Sequence, residues 1–181
     1  MTKSRVVLTG LALCGLLGVL LTTTWVSGTP SGGLGGGAPV ELTGSEASSL
    51  VRPALFTAVA GLLVAAFLGP VARRVAGVVV TLSGLAVAWA AAALLLDPEG
   101  PVTARAAEDW GLAGSASVHA DATASWAPWV AALLGVLLAL VGVAVLVARW
   151  QGLGARYERR GQATRTEEPL WDSLSRGEDP T

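Results

Sequence analysis

Apolar positions fill four stretches of the chain, Val6 to Val26, Ala54 to Ala72, Val75 to Leu96 and Pro128 to Ala148, none of which contains a charged residue. The stretches are 19–22 residues long. At a helical rise of about 1.5 Å per residue they cover a hydrocarbon core of about 30 Å. The pattern predicts an all-α fold, an integral membrane bundle of four transmembrane helices. Residues 1–5 then form an N-terminal segment and residues 6–26, 54–72, 75–96 and 128–148 the spans. Residues 27–53 form a Gly-rich loop, 73–74 a turn, 97–127 an acidic loop and 149–181 a tail.

Charge decides the orientation of that arrangement. Of the 12 Lys and Arg residues, ten lie in the N-terminal segment, the Arg73-Arg74 turn and the tail, and only Arg52 and Arg105 lie in the other two loops. Lys and Arg concentrate on the cytoplasmic side of membrane proteins. Both termini and the turn are therefore expected in the cytoplasm, with residues 27–53 and 97–127 outside, in a multi-pass protein of the cell membrane. Composition agrees: 14% of residues are charged and the mean hydropathy is +0.61, against about 25% charged in soluble domains.

The first stretch also has the form of a signal sequence, but its apolar part is long and no Ala-x-Ala cleavage site follows, so it is expected to remain as a span. Leu11-Ala12-Leu13-Cys14 lacks the small residue that a lipid-attachment box needs before its cysteine. Cys14, the only cysteine, is expected to be a buried thiol. The twelve Leu and Val residues of the fourth stretch contribute about −5 kcal/mol of insertion free energy, which one central charge would halve.

Within the spans, Gly77, Gly84 and Ala91 recur at intervals of seven, as do Gly135 and Gly142. Small residues on one helical face let membrane helices approach closely, so Gly77, Gly84, Gly135 and Gly142 are candidate helix-packing positions, and contact of the two stripes with each other is one expected pairing. Trp25, Trp126, Trp129 and Trp150 fall at span ends, where indoles anchor at the headgroup level. Trp89 lies well inside the third span, as a bundle-packing residue or an intramembrane contact for an aromatic ligand.

Candidate chemistry is sparse. The glycines of residues 32–37 lack the following Lys-Ser or Lys-Thr of a phosphate loop, and Val40-Glu41-Leu42-Thr43 alternates as a short strand does. Glu108, Asp109, His119 and Asp121 gather a histidine with carboxylates, but in no metal-ligand spacing. No catalytic set, metal site or cofactor is predicted, so no enzyme activity is expected, and no nucleic-acid partner. In the tail, Pro169 can open a short helix that places Leu170, Trp171 and Leu174 near one face. Those three residues are a candidate docking segment for a partner protein.

The chain resembles a four-span family of high-GC Gram-positive bacteria, the tryptophan-associated (tryptophan-operon-linked) transmembrane proteins. The residues that carry the resemblance are Trp25-Val26-Ser27-Gly28, Val40-Glu41-Leu42-Thr43-Gly44, Arg73-Arg74-Val75 and Arg156-Tyr157-Glu158-Arg159. Most specific is Leu170-Trp171-Asp172-Ser173-Leu174-Ser175-Arg176-Gly177-Glu178-Asp179-Pro180-Thr181. The resemblance implies a link to tryptophan biosynthesis without naming an activity or any site residue. Two roles follow as expectations: an accessory or scaffold protein docking a cytoplasmic partner of tryptophan metabolism through its tail, or a subunit of a small homo-oligomeric permease or exporter for tryptophan, indole or a related aromatic.

Overall fold

The structure is a computed structural model that describes residues 3–32, 35–111 and 118–147. Its first helix, α1 (Lys3–Leu20), stops short of the expected limit at Val26. Two threonines account for the stop: the hydroxyls of Thr22 and Thr23 donate to the carbonyls of Val19 and Leu20 at 2.8 and 2.7 Å. The last carbonyls of the helix are thereby satisfied by side chains, and the chain turns into strand β1 (Thr24–Gly32).

Strand β1 returns through β2 (Gly35–Gly36) and β3 (Val40–Thr43) and leads into a one-turn helix, α2 (Gly44–Ala47). Helix α3 (Val51–Phe67) follows, with Pro53 in its first turn, where the missing N–H breaks no helical bond. The expected turn at Arg73-Arg74 is corrected to Leu68-Gly69. Helix α4 (Pro70–Leu96) already contains both arginines, because Pro70 opens it and holds the preceding Gly69 extended.

Beyond α4 lie α5 (Glu99–Asp109), strand β4 (Val118–Ala124) and helix α6 (Ala127–Val147). The strands correct the all-α expectation: the protein is mostly helical but carries a small antiparallel sheet. Strand β1 is its centre, paired with β2 and β3 on one side and with β4 on the other, Val26 opposite both Leu42 and Ala124. Both segments expected to be loops therefore supply strands to one sheet.

Helix α1 packs against α3 and α6, and α4 packs against α3 and α6. Leu17 of α1, Leu62 of α3, Val80 and Val87 of α4 and Leu138 of α6 are fully buried in the shared core. The outward faces are apolar too: Leu8 and Leu16 on α1, Phe56 and Phe67 on α3, Leu82 and Leu85 on α4, Leu133 and Leu140 on α6 are all exposed. Two helices, α4 from Val71 and α6, are long and apolar enough to cross a membrane, and only 39% and 33% of their apolar windows is buried inside the protein. α1 and α3 are shorter, at 18 and 17 residues, or about 26 Å of helix each.

Candidate functional site

Three arrangements bring sequence-separated residues together, and the first is built around Trp25. The pairing of Thr24 with Thr43 and of Val26 with Leu42 leaves Trp25 as the extra residue of a β-bulge. A bulge re-aims its side chain, and here it sends the indole inward. Trp25 is fully buried, and its indole N–H donates to the Leu20 carbonyl at 2.9 Å. The expected interfacial anchor is thus a core residue, its polar atom satisfied by the frayed end of α1.

Gly44 lies against that indole so closely that a Cβ there would overlap the ring. Gly28 meets strand β4 in the same way, with a Cβ position 2.9 Å from the Asp121 carbonyl. Trp25, Gly28 and Gly44, which belong to two separate strings in the sequence, are therefore parts of one construction. Thr43 closes it as a capping box: its N–H and its hydroxyl both donate to Glu46 Oε2, at 3.0 and 2.7 Å. These bonds from Thr43 hold the Glu46 carboxyl below the ordinary carboxylate range. On the other side of β1, Ser125 ties the start of α6 to the sheet, its hydroxyl donating to the Thr24 carbonyl at 2.8 Å. The Ser125 N–H donates to the Trp25 carbonyl, also at 2.8 Å.

The second arrangement is the seam between α4 and α6. A Cβ on Gly84 would lie 2.7 Å from the Gly135 carbonyl, and one on Gly135 would lie 2.9 Å from the Gly84 carbonyl. One helical interval away, a Cβ on Gly77 would lie 3.2 Å from the Gly142 carbonyl, and Gly142 abuts Thr81. The four candidate packing glycines thus face one another in two antiparallel pairs, backbone against backbone. Thr81 does not interrupt the seam, since its hydroxyl is returned to the Gly77 carbonyl at 2.8 Å.

Trp89 defines the third. It is not part of the helix packing within the chain but is 73% exposed on the outer face of α4. There it borders an open groove of about 370 Å³, whose walls include Ala90, Ala93 and Asp97 of α4, Pro101 of α5, and Ser48 and Leu50 ahead of α3. Asp97 ends α4 and accepts the Gly100 N–H at 3.0 Å. Trp126 and Trp129 are exposed at the start of α6.

The acidic-loop residues do not converge. Glu108 and Asp109 stay on α5 beside Arg105, at 3.8 and 3.5 Å, while His119 and Asp121 are exposed on β4 opposite Ser31 and Thr29. Among the described residues, no three metal-ligating side chains form a group. Leu170, Trp171, Leu174 and Trp150 lie outside the described residues.

The family of the tryptophan-associated transmembrane protein matches residues 7–181, a range that takes in the Trp25 construction, the glycine seam and the tail. The chain belongs to this family. No curated protein matches the chain. Family membership and the two membrane-length apolar helices together make it a membrane protein.

The Trp25–Gly44 contact had only a partial signal in the sequence. Thr43-Gly44-Ser45-Glu46 carries the Thr-x-x-Glu spacing of a capping box, which marks the turn, whereas nothing local points Trp25 toward it.

Proposed function

We propose that this protein is a multi-pass component of the cell membrane, with α1, α3, α4 and α6 all crossing the bilayer and both termini in the cytoplasm. Its role in this reading is non-enzymatic: it holds a soluble partner of tryptophan metabolism at the membrane through Leu170, Trp171 and Leu174. The observation that carries the reading is the apolar outer face shared by all four long helices. Such faces are stable against lipid and costly against water. The slight shortness of α1 and α3 is within what a bilayer accommodates by local thinning or by flanking residues reaching to the interface.

Leu17, Leu62, Val80, Val87 and Leu138 are buried between the helices, and this reading puts the activity on the tail. Support for docking comes from the tail string, which the family match includes. Crosslinking the intact protein in membranes and comparing it with a deletion of residues 170–181 tests the reading. A cytoplasmic enzyme of the tryptophan pathway is expected with the intact chain and not with the deletion, while both remain in the membrane fraction. Equal capture by the two would sink the docking role.

A further inference from the structure

The groove beside Trp89 has three features that one kind of ligand satisfies together. Its lining includes the apolar Ala90, Ala93 and Leu50, and it continues the exposed apolar face of α4 that Leu82 and Leu85 begin. The indole N–H of Trp89 has no hydrogen-bond partner within the protein among the described residues. An exposed indole donor on an apolar surface is open to an acceptor from outside the chain. Two helical turns further along α4, Asp97 places a carboxylate at the rim, with the hydroxyl-bearing Ser48 also on the groove.

We infer that this groove binds one phospholipid with a primary ammonium headgroup, a phosphatidylethanolamine, from the leaflet that α4 reaches at Leu96. The glycerol and phosphate lie over Ala90 and Ala93, where the small side chains leave room, and an acyl chain continues from Trp89 toward Leu85 and Leu82. An ester carbonyl accepts the Trp89 N–H. The ammonium is drawn to Asp97 by charge and by its own N–H donors. An anionic phosphatidylglycerol would satisfy the first two features and be repelled at the third, so headgroup charge is the discriminating property. The inference rests on the reading that α4 crosses the bilayer.

The full-length protein, reconstituted into nanodiscs of equal parts phosphatidylethanolamine and phosphatidylglycerol with matched acyl chains and then repurified in mild detergent, provides the test. Native mass spectrometry reads the lipid retained. The wild type should hold one lipid with an ethanolamine preference of about three-fold, the scale of one partly exposed ion pair. Asp97→Asn, which keeps an acceptor for the Gly100 N–H, should return the ratio to that of the mixture, and Trp89→Phe should lower the lipid retained at an unchanged ratio. An unbiased ratio in the wild type, a bias that survives Asp97→Asn, retention unaffected by Trp89→Phe, or a lipid-free dimer covering the groove would each overturn the inference while leaving the membrane reading intact. Failure of the protein to enter the nanodiscs would overturn both.

Discussion

At the residue scale, Trp25 shows how a single side chain can join distant parts of a chain. Its ring fills the space over Gly44, and its N–H completes the hydrogen bonding of the α1 terminus. Two separable contributions follow. Trp25→Ala removes the buried ring and should cost about 3–5 kcal/mol, by lost transfer energy and the cavity left behind. Trp25→Phe keeps most of the apolar contact and removes one of the donors to the Leu20 carbonyl, which still accepts from Thr23, and should cost about 0.5–1.5 kcal/mol. Thermal unfolding of the two variants in the same detergent should rank wild type above Trp25→Phe above Trp25→Ala. Equal stabilities would mean that the ring is not in the core. The other tryptophans show why residue type alone was a poor guide: Trp126 and Trp129 are exposed at the start of α6, where indoles suit the interface. Trp25 stands equally near a helix end and is turned inward by one extra residue in a strand.

At the element scale, the α4–α6 seam depends on glycine because backbone atoms occupy the space where side chains would be. The spacing of Gly77, Gly84, Gly135 and Gly142 was legible in the sequence, since a period of seven returns to one helical face. Which helix each stripe would meet was not, because three other helices were available as partners. Gly84→Leu would force α4 and α6 apart along the pair and should lower stability by several kcal/mol, an overpacking cost against backbone rather than against a movable side chain. Gly15 is the matched control, because a Cβ there meets nothing within 4 Å. Gly15→Ala should leave stability unchanged or raise it by up to about 1 kcal/mol through helix propensity. Unfolding of the purified variants in one detergent checks both, and a neutral Gly84→Leu would remove the seam from the account of stability. The boundaries of α1 and α4 follow a local logic as well: threonine hydroxyls close the first and Pro70 opens the second, so hydropathy placed these helices several residues away from their ends.

At the scale of the whole molecule, the arrangement of charge and apolar surface predicts sidedness. With Cys14 replaced by alanine, Ser31→Cys on β1 and Thr164→Cys in the tail provide two single thiols for a membrane-impermeant maleimide applied to intact cells. Labelling is expected at position 31 in intact cells and at position 164 only after the membrane is opened. The reverse pattern would invert the topology, and labelling of both in intact cells would mean an even number of crossings between the two positions in place of three. The outer segments are where sequence reasoning departed furthest from the fold. Residues 24–32 are rich in Gly, Ser and Thr without a clear alternation, and although residues 118–124 alternate apolar with polar, the apolar positions after Val118 are all alanine. Their pairing closes nearly one hundred residues of chain, an association that becomes favourable only once α3 to α6 bring the ends together.

The same division runs through the whole protein. The sequence by itself determined the long apolar helices, their bilayer-compatible surfaces, the glycine period and the charge asymmetry, because each is a property of composition or of a repeat within one helix. Tertiary structure alone decided that two apparent loops share a sheet and that Trp25 is core and Trp89 is surface, and it selected, among the pairings open to the glycine stripes, the one in which they face each other. Those outcomes depend on which distant neighbours compete for a given face, and no local pattern holds that information.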